Sequence, residues 1–176
     1  LMAVLRLLVG MLVGLGIWDR DPIDGYYTDY IGCWSSTGVN MIGRVFCSNA
    51  LLVARGHDIE LDAVGEIDGW EPPGWKGYRA RLRARAAQAD LAGRVRFLGV
   101  RDDVPRLLSA AALHCCPSRR NKRESFGGVT IEAKQAGIPS VVTPYGGLPE
   151  LVDHLRDGWI AASDAAADPA EAIEYF

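Results

Sequence analysis

The residues best suited to chemistry lie between Glu124 and Leu151, in the stretch ESFGGVTIEAKQAGIPSVVTPYGGLPEL. Glu124 and Glu132 stand eight positions apart, and the Gly127-Gly128 pair between them opens a predicted helix. A glycine-rich helix start offers free backbone N–H groups and the positive end of the helix dipole, which suits phosphate. Carboxylates have no attraction for phosphate, so we interpret the two glutamates as ligands of hydroxyl groups. Phosphate together with hydroxyls suggests a nucleotide-sugar.

Short apolar segments alternate with helical ones from residue 57 onward. The pattern predicts strands in DIELDAV, RVRFLGV, LHCC and SVVT, at 58–64, 94–100, 113–116 and 140–143. It predicts helices at 77–90, 103–112 (with Asp103 as N-cap and Pro105 in the first turn), 128–136, 149–154 and from 168. This alternation predicts an α/β fold, a doubly wound, Rossmann-like parallel sheet. Ligands of such sheets bind outside the carboxyl ends of the strands, where the Glu124 stretch lies.

Composition excludes some classes of partner and of site. The net charge of −3 argues against a general nucleic-acid binder. The four cysteines form no C-x-x-C pair, and the histidines form no cluster, so no metal site is expected. Buried free thiols are the preferred interpretation of the cysteines, which fits a reducing compartment, the cytoplasm.

The N-terminus is the one candidate for a membrane span. Its uninterrupted apolar run, Leu7 to Trp18, is about a dozen residues long, short of the ~20 that a spanning helix needs. Arg6 interrupts the apolar segment and several glycines weaken it as a helix. A buried strand or strand–turn segment is therefore predicted instead.

Residues 57–176, and most specifically 95–160, resemble the C-terminal, nucleotide-sugar-binding half of GT-B glycosyltransferases. The resemblance is to the retaining group called family 4, or glycosyl transferases group 1. Each matching motif alone is unspecific, but the order and spacing of the motifs together are specific. The matching pieces are Val95-Arg96-Phe97-Leu98-Gly99, the helix from Asp103 to Ala111, Pro117-Ser118, Glu124-x7-Glu132, Ala136-Gly137-x-Pro139 and Gly146-Gly147-x-Pro149-Glu150.

The resemblance implies a role for individual residues. Phe126, Gly127, Gly128 and Val129 match the loop whose amides face the diphosphate, and Glu132 matches the glutamate that holds the ribose hydroxyls. Glu124 matches the glutamate beside the donor sugar, and Arg44, after Gly43, matches the arginine that neutralises the diphosphate; these two are the predicted catalytic residues. Backbone near Val100 and Arg101 is expected to contact the base. The family needs no metal or other cofactor, and UDP or GDP is the expected nucleotide of the donor.

Two departures from the family pattern leave alternatives open. The family's second cation, a lysine, falls on Asn49, and the segment between Arg44 and Gly56 is short for the expected helix, so Gly43-Arg44 could equally be a chance match. A complete GT-B enzyme has two such domains, and 176 residues have no room for both. We predict that 1–40 is an N-terminal segment, a remnant of the acceptor domain, and that 41–176 is the nucleotide-sugar-binding domain.

The functional prediction is a donor-binding domain that transfers a sugar with retention when an acceptor half is present. The alternative is a non-catalytic, glycosyltransferase-like binding domain or a subunit of a split enzyme. A sugar-nucleotide epimerase would need a base that the sequence does not offer.

The acceptor could be a sugar, a lipid-linked sugar or a small molecule. Membrane-surface contact stays open, because arginines border an apolar stripe of Tyr78, Leu82, Ala86 and Ala89. A core-packed helix with snorkelling arginines is the preferred interpretation of that stripe.

Overall fold

A computed structural model describes residues 5–10, 48–65, 77–118, 126–163 and 165–176. The strands are β1 Leu5–Gly10, β2 Ile59–Val64, β3 Val95–Gly99, β4 Leu113–Cys116, β5 Ser140–Val142 and β6 Gly158–Ile160. The helices are α1, described over 48–54, α2 Tyr78–Ala86, α3 Val104–Ala110, α4 Gly128–Gln135, α5 Leu148–Leu151 and α6 Ala167–Tyr175.

The six strands form one parallel sheet in the order β3-β2-β1-β4-β5-β6. The order reverses between β1 and β4, so the sheet has its topological switch point there. Alternate residues of β2 pack into different clusters, Leu61 with residues of α1, α2 and α6 and Val64 with residues of α3 and α4. Helices therefore cover both faces, and the predicted doubly wound α/β fold is confirmed.

The N-terminal strand β1 lies in the middle of the sheet. It pairs with β2 from Leu5↔Ile59 to Gly10↔Val64, and with β4 at Leu7↔Leu113 and Leu8↔His114. The prediction of a strand in this segment is confirmed. The predicted domain boundary at residues 40–41 falls in 11–47, outside the described residues. Among the helices described, none is long and apolar enough to cross a membrane.

Several helices end earlier than the sequence predicts. Helix α2 ends at Ala86 rather than residue 90, because the chain turns at Gln88, whose carbonyl accepts the N–H of Leu91, and Leu91 enters the core fully buried. Helix α5 ends at Leu151 rather than His154. The imidazole of His154 instead accepts the N–H of Ile160 at 3.0 Å, next to β6, a strand that the sequence pattern did not predict.

The arginine-rich helix α2 packs against the core, in agreement with the preferred interpretation of its sequence. Its Leu82 and Ala86 are buried, whereas Ala89 lies beyond the helix and is exposed. The guanidinium of Arg83 lies 5.1 Å from the centre of the Phe97 ring in β3. Leu82 and Ala86 therefore face the core, and Arg83 reaches over Phe97 toward solvent.

Candidate functional site

Two hydrogen bonds fix the carboxyl edge of the sheet. The N–H of Gly65, after β2, donates to the carbonyl of Gly99 at the end of β3 at 2.8 Å. The buried hydroxyl of Thr143, after β5, donates to the carbonyl of Ser118, after β4, at 2.7 Å. The loops that follow these strands therefore start from defined positions on both sides of the switch point.

Helix α4 begins at this edge with two glycines. Gly127, its N-cap, has φ +65° and ψ +48°, the left-handed region that favours glycine. A Cβ added there would stand 2.6 Å from Cδ2 of Leu148 and 3.2 Å from Cδ1 of Leu151, both in α5. Glycine is thus required both for its backbone conformation and for the close approach of α5. The first N–H groups of a helix have no partner within it, so this start can receive an anion.

Glu132 follows one turn later on the same helix. Val129 and Ala133 are buried, and Glu132 is half-buried, at the margin of the apolar face as predicted. Its carboxylate makes no hydrogen bond or ion pair with the part of the chain that the structure describes. A half-buried carboxylate without a partner favours a ligand that donates hydrogen bonds, such as a diol.

The second part of the edge follows β3. Val100 is 72% exposed, and Gly99 before it has φ +68°. The guanidinium of Arg101 donates Nε–H to Oδ1 and Nη2–H to Oδ2 of Asp103, both at 2.7 Å. This pair lowers the pKa of Asp103 and raises the pKa of Arg101, chiefly through those hydrogen bonds.

The prediction of Asp103 as the N-cap residue of α3, with Pro105 in the first turn, is confirmed. The carboxylate of Asp103 makes no capping hydrogen bond, however. It binds Arg101 instead, because a bidentate, charge-assisted pair is stronger than one bond to a backbone N–H.

The two parts of the site lie on either side of the β1 end. From β3 to β4 there are three strand spacings of ~4.8 Å each, so the two loops are about 14 Å apart. Phe126, just before α4, is 64% exposed and lies at this edge as well. An extended ligand that crosses the switch point would reach both parts.

Three further residues were singled out by the resemblance. Glu124 and Arg44 lie outside the described residues, in 119–125 and 11–47. Asn49, where the resemblance places a lysine, lies in α1 and is fully buried. Within the described ranges, neither its side-chain oxygen nor its side-chain nitrogen has a hydrogen-bond partner.

The buried titratable groups of β4 are not suited to acid–base chemistry. His114 is fully buried with Nδ1 3.1 Å from Oγ of Ser140, and burial lowers its pKa to about 4. It is a packed residue, as predicted. Cys115 and Cys116 are buried free thiols, also as predicted, and burial raises the pKa of Cys115. Within the described residues, no three histidine, cysteine or acidic side chains could hold a metal ion.

Sequence reasoning missed a cavity of about 220 Å³ between β2, β3 and α3. It is lined by Asp62, Arg96, Leu98, Arg101, Leu107, Ala110 and Ala111. Asp62 and Arg96 face each other as register partners of β2 and β3, with Nε–Oδ1 and Nη2–Oδ2 distances of 2.6 and 2.8 Å. The available signal was the pair of acidic residues in β2, Glu60 and Asp62, and the single arginine in β3.

Comparisons with known proteins identify the family of the chain. The family "Glycosyl transferases group 1" matches residues 35–176. The chain is 40% identical over 67 residues to N-acetyl-alpha-D-glucosaminyl L-malate synthase of Bacillus anthracis, covering 38% of this chain and 17% of that enzyme. It therefore spans less than a fifth of that relative.

Solved structures share the fold. Anabaena HepE in complex with UDP superposes with a TM-score of 0.67 at 24% identity, over 98% of this chain and 38% of HepE. The C-terminal domain of LpcC, a glycosyl transferase group 1 protein from Francisella tularensis, superposes with a TM-score of 0.67 at 16% identity, over 97% of this chain and 74% of that domain. The chain belongs to the glycosyl transferases group 1 family, and its fold is that of the C-terminal half of these GT-B enzymes.

Proposed function

We propose that this chain is the donor-binding domain of a retaining glycosyltransferase. It holds a nucleoside-diphosphate sugar at the carboxyl edge of its sheet, and transfer to an acceptor takes place when the acceptor half is present. The proposal rests on helix α4, which starts at a glycine beside the switch point, and on the half-buried carboxylate of Glu132 one turn into it, which has no partner among the described residues. Family membership supports the same reaction class.

The diphosphate binds at the start of α4. Gly127 allows the left-handed backbone from which α4 starts, and the N–H groups of Gly128 and Val129 donate to phosphate oxygens. When the bond to the sugar breaks, negative charge grows on the departing diphosphate, and fixed donors at a helix N-terminus stabilise that charge. In this proposal Arg44 adds a cation to the same group.

The remaining donor groups bind around this anchor. Glu132 accepts hydrogen bonds from the ribose hydroxyls, and Glu124 from hydroxyls of the donor sugar. The base lies over the backbone of Val100 and Arg101, about 14 Å away from β4. UDP or GDP is the proposed nucleotide, and the UDP complex of HepE supports the first. The buried thiols of Cys115 and Cys116 fit a cytoplasmic location.

A non-catalytic binding domain is the second candidate, and Asn49 favours it. A lysine beside a departing diphosphate stabilises the transition state, and an amide carries no charge to replace it. Such a domain would still bind the donor, because the α4 start and Glu132 do not depend on position 49.

Calorimetric titration with UDP, GDP and ADP tests donor binding. The chain should bind at least one of the three, and Glu132→Ala should weaken that binding about tenfold or more, since hydrogen bonds to a charged group contribute ~1.5–3 kcal/mol. Glu171→Ala, which removes an exposed glutamate from α6, is the matched control and should not change the affinity. No binding of any of the three nucleotides would contradict the proposal.

Donor turnover separates the two candidates. Release of free sugar from the donor that binds, abolished in Glu124→Ala, would support the catalytic candidate. Binding without turnover, both in this chain and in a mixture with its acceptor half, would support the non-catalytic one.

A further inference from the structure

Arg101 lies between the loop after β3 and an open cavity. Arg101 lines the cavity of about 220 Å³, together with Asp62 and Arg96. Well-packed side chains are held by their neighbours, but a side chain beside a cavity loses those contacts on one side. The position of Arg101 is therefore not fixed by packing alone.

The Asp103 carboxylate supplies the missing constraint. Both of its oxygens accept from Arg101 at 2.7 Å, in the bidentate geometry that orients a guanidinium in two dimensions. The bond joins residues two positions apart, so it closes a short ring that includes the backbone of Arg101 and Asp102. Gly99 at φ +68° and the bond from Gly65 fix the other end of the loop.

We propose that Asp103 is a positioning residue for the nucleotide base. It keeps the guanidinium of Arg101 paired within the loop and so holds the backbone of Val100 and Arg101 in the conformation that contacts the base. The inference rests on the proposed function, because it needs a nucleotide at this edge. Without Asp103, Arg101 can turn into the cavity toward the carboxylate of Asp62, and the loop follows it.

The effect of Asp103 on nucleotide binding can be measured separately from its effect on folding. Arg101 and Asp103 are both solvent-accessible, with side chains 41% and 26% exposed, and exposed ion pairs contribute little to folding. A disordered base-binding loop, in contrast, must be ordered again on binding, at the expense of affinity. Asp103 should thus affect binding far more than folding.

Calorimetry on the whole chain tests the role with three variants. Asp103→Asn keeps the shape but loses the charge, and should weaken nucleoside-diphosphate binding about five- to twentyfold. Asp103→Glu keeps the carboxylate and should recover most of the loss. Asp102→Asn is the matched control, because it removes the same charge from an exposed neighbour and should leave the affinity unchanged.

A base-free ligand and thermal unfolding complete the test. Inorganic pyrophosphate, measured by competition with the nucleotide, should bind Asp103→Asn and the unaltered chain within about twofold, and the Tm should not fall measurably. Equal nucleotide affinity of Asp103→Asn and the unaltered chain would overturn the inference, and so would an equal loss for pyrophosphate. If the unaltered chain binds no nucleotide, the proposed function itself fails, a different result from either of these.

Discussion

The two sides of the carboxyl edge are held in different ways. The α4 side, made of β4, β5, α4 and α5, is fixed by close backbone packing and buried hydrogen bonds, with Gly127 against Leu148 and Thr143 bonded to Ser118. Lys134 of α4 also connects to the chain around the end of α5. Its Nζ donates to the carbonyl of Leu151 at 2.7 Å and pairs with the carboxylate of Asp157 at 2.7 Å. The α3 side, made of β2, β3 and α3, is fixed by partly exposed ion pairs around a cavity.

This difference matches the chemistry proposed for each side. Every nucleoside-diphosphate sugar presents the same diphosphate, so a rigid backbone cradle serves all of them. The base differs from one donor to another, and a side held by exchangeable side-chain pairs can change its contacts without disturbing the core. We therefore expect substitutions at the packed glycine and the buried histidine of the α4 side to cost more unfolding free energy than the loss of an ion pair on the α3 side.

The largest effect is expected at Gly127. Gly127→Ala places a side chain in the left-handed region, which costs ~1–2 kcal/mol, and overlaps Leu148, which adds ~1–3 kcal/mol. Urea unfolding should therefore show a loss of about 3 kcal/mol. The control is Gly137→Ala, where φ is +75° but nothing lies within 4 Å, and the loss should be only about 1 kcal/mol. Equal losses at both positions would show that close packing does not distinguish the α4 side.

His114 should make folding on the α4 side pH-dependent. Its folded pKa of about 4 lies below its usual 6.5, so between these values the unfolded chain binds a proton that the folded chain does not. Stability is fully retained above pH 6.5 and is lost as the pH falls toward 4, by about 3 kcal/mol. Comparison with His114→Gln by urea unfolding across this range isolates the effect. The same slope in the variant would contradict it.

A smaller effect is expected at Asp62 on the α3 side. Asp62→Asn removes one charge of a bidentate pair whose partner, Arg96, is 43% exposed and keeps Glu60 at 3.7 Å. The loss in unfolding free energy should be about 1 kcal/mol. Asp90→Asn, which breaks the more exposed pair with Arg85, is the control and should not change stability measurably. A loss at Asp62 as large as that at Gly127 would remove the distinction between the two sides.

Local patterns predicted much of the fold. Both ends of the strand LHCC were predicted correctly. Its four residues form a short buried run between Ala112 and Pro117, too short for a helix. Strand β6 was not predicted. Its first residue, Gly158, is typical of a turn in a local pattern, but in the fold the glycine is required by a tertiary contact. A Cβ on Gly158 would overlap the Ser140 carbonyl oxygen in β5. The position of β1 in the middle of the sheet is equally invisible to a local pattern.

The candidate site divides in the same way. The glycine pair before α4 and the margin position of Glu132 follow from helix geometry, so they could be predicted. The pairing of Asp103 with Arg101 could not, because a capping residue and an ion-pair partner have the same local sequence. The cavity beside Arg101 depends on how α3 lies against β2 and β3, which only the assembled structure shows.

We propose that one nucleotide crosses the switch point from α4 to the end of β3. A crystal structure of the chain with the nucleoside diphosphate that binds most tightly tests this directly. Phosphate oxygens are expected within hydrogen-bond distance of the N–H groups of Gly128 and Val129, the ribose at Glu132, and the base against the backbone of Val100 and Arg101. A nucleotide bound elsewhere, or one with its base at α4 and its phosphates at β3, would contradict it.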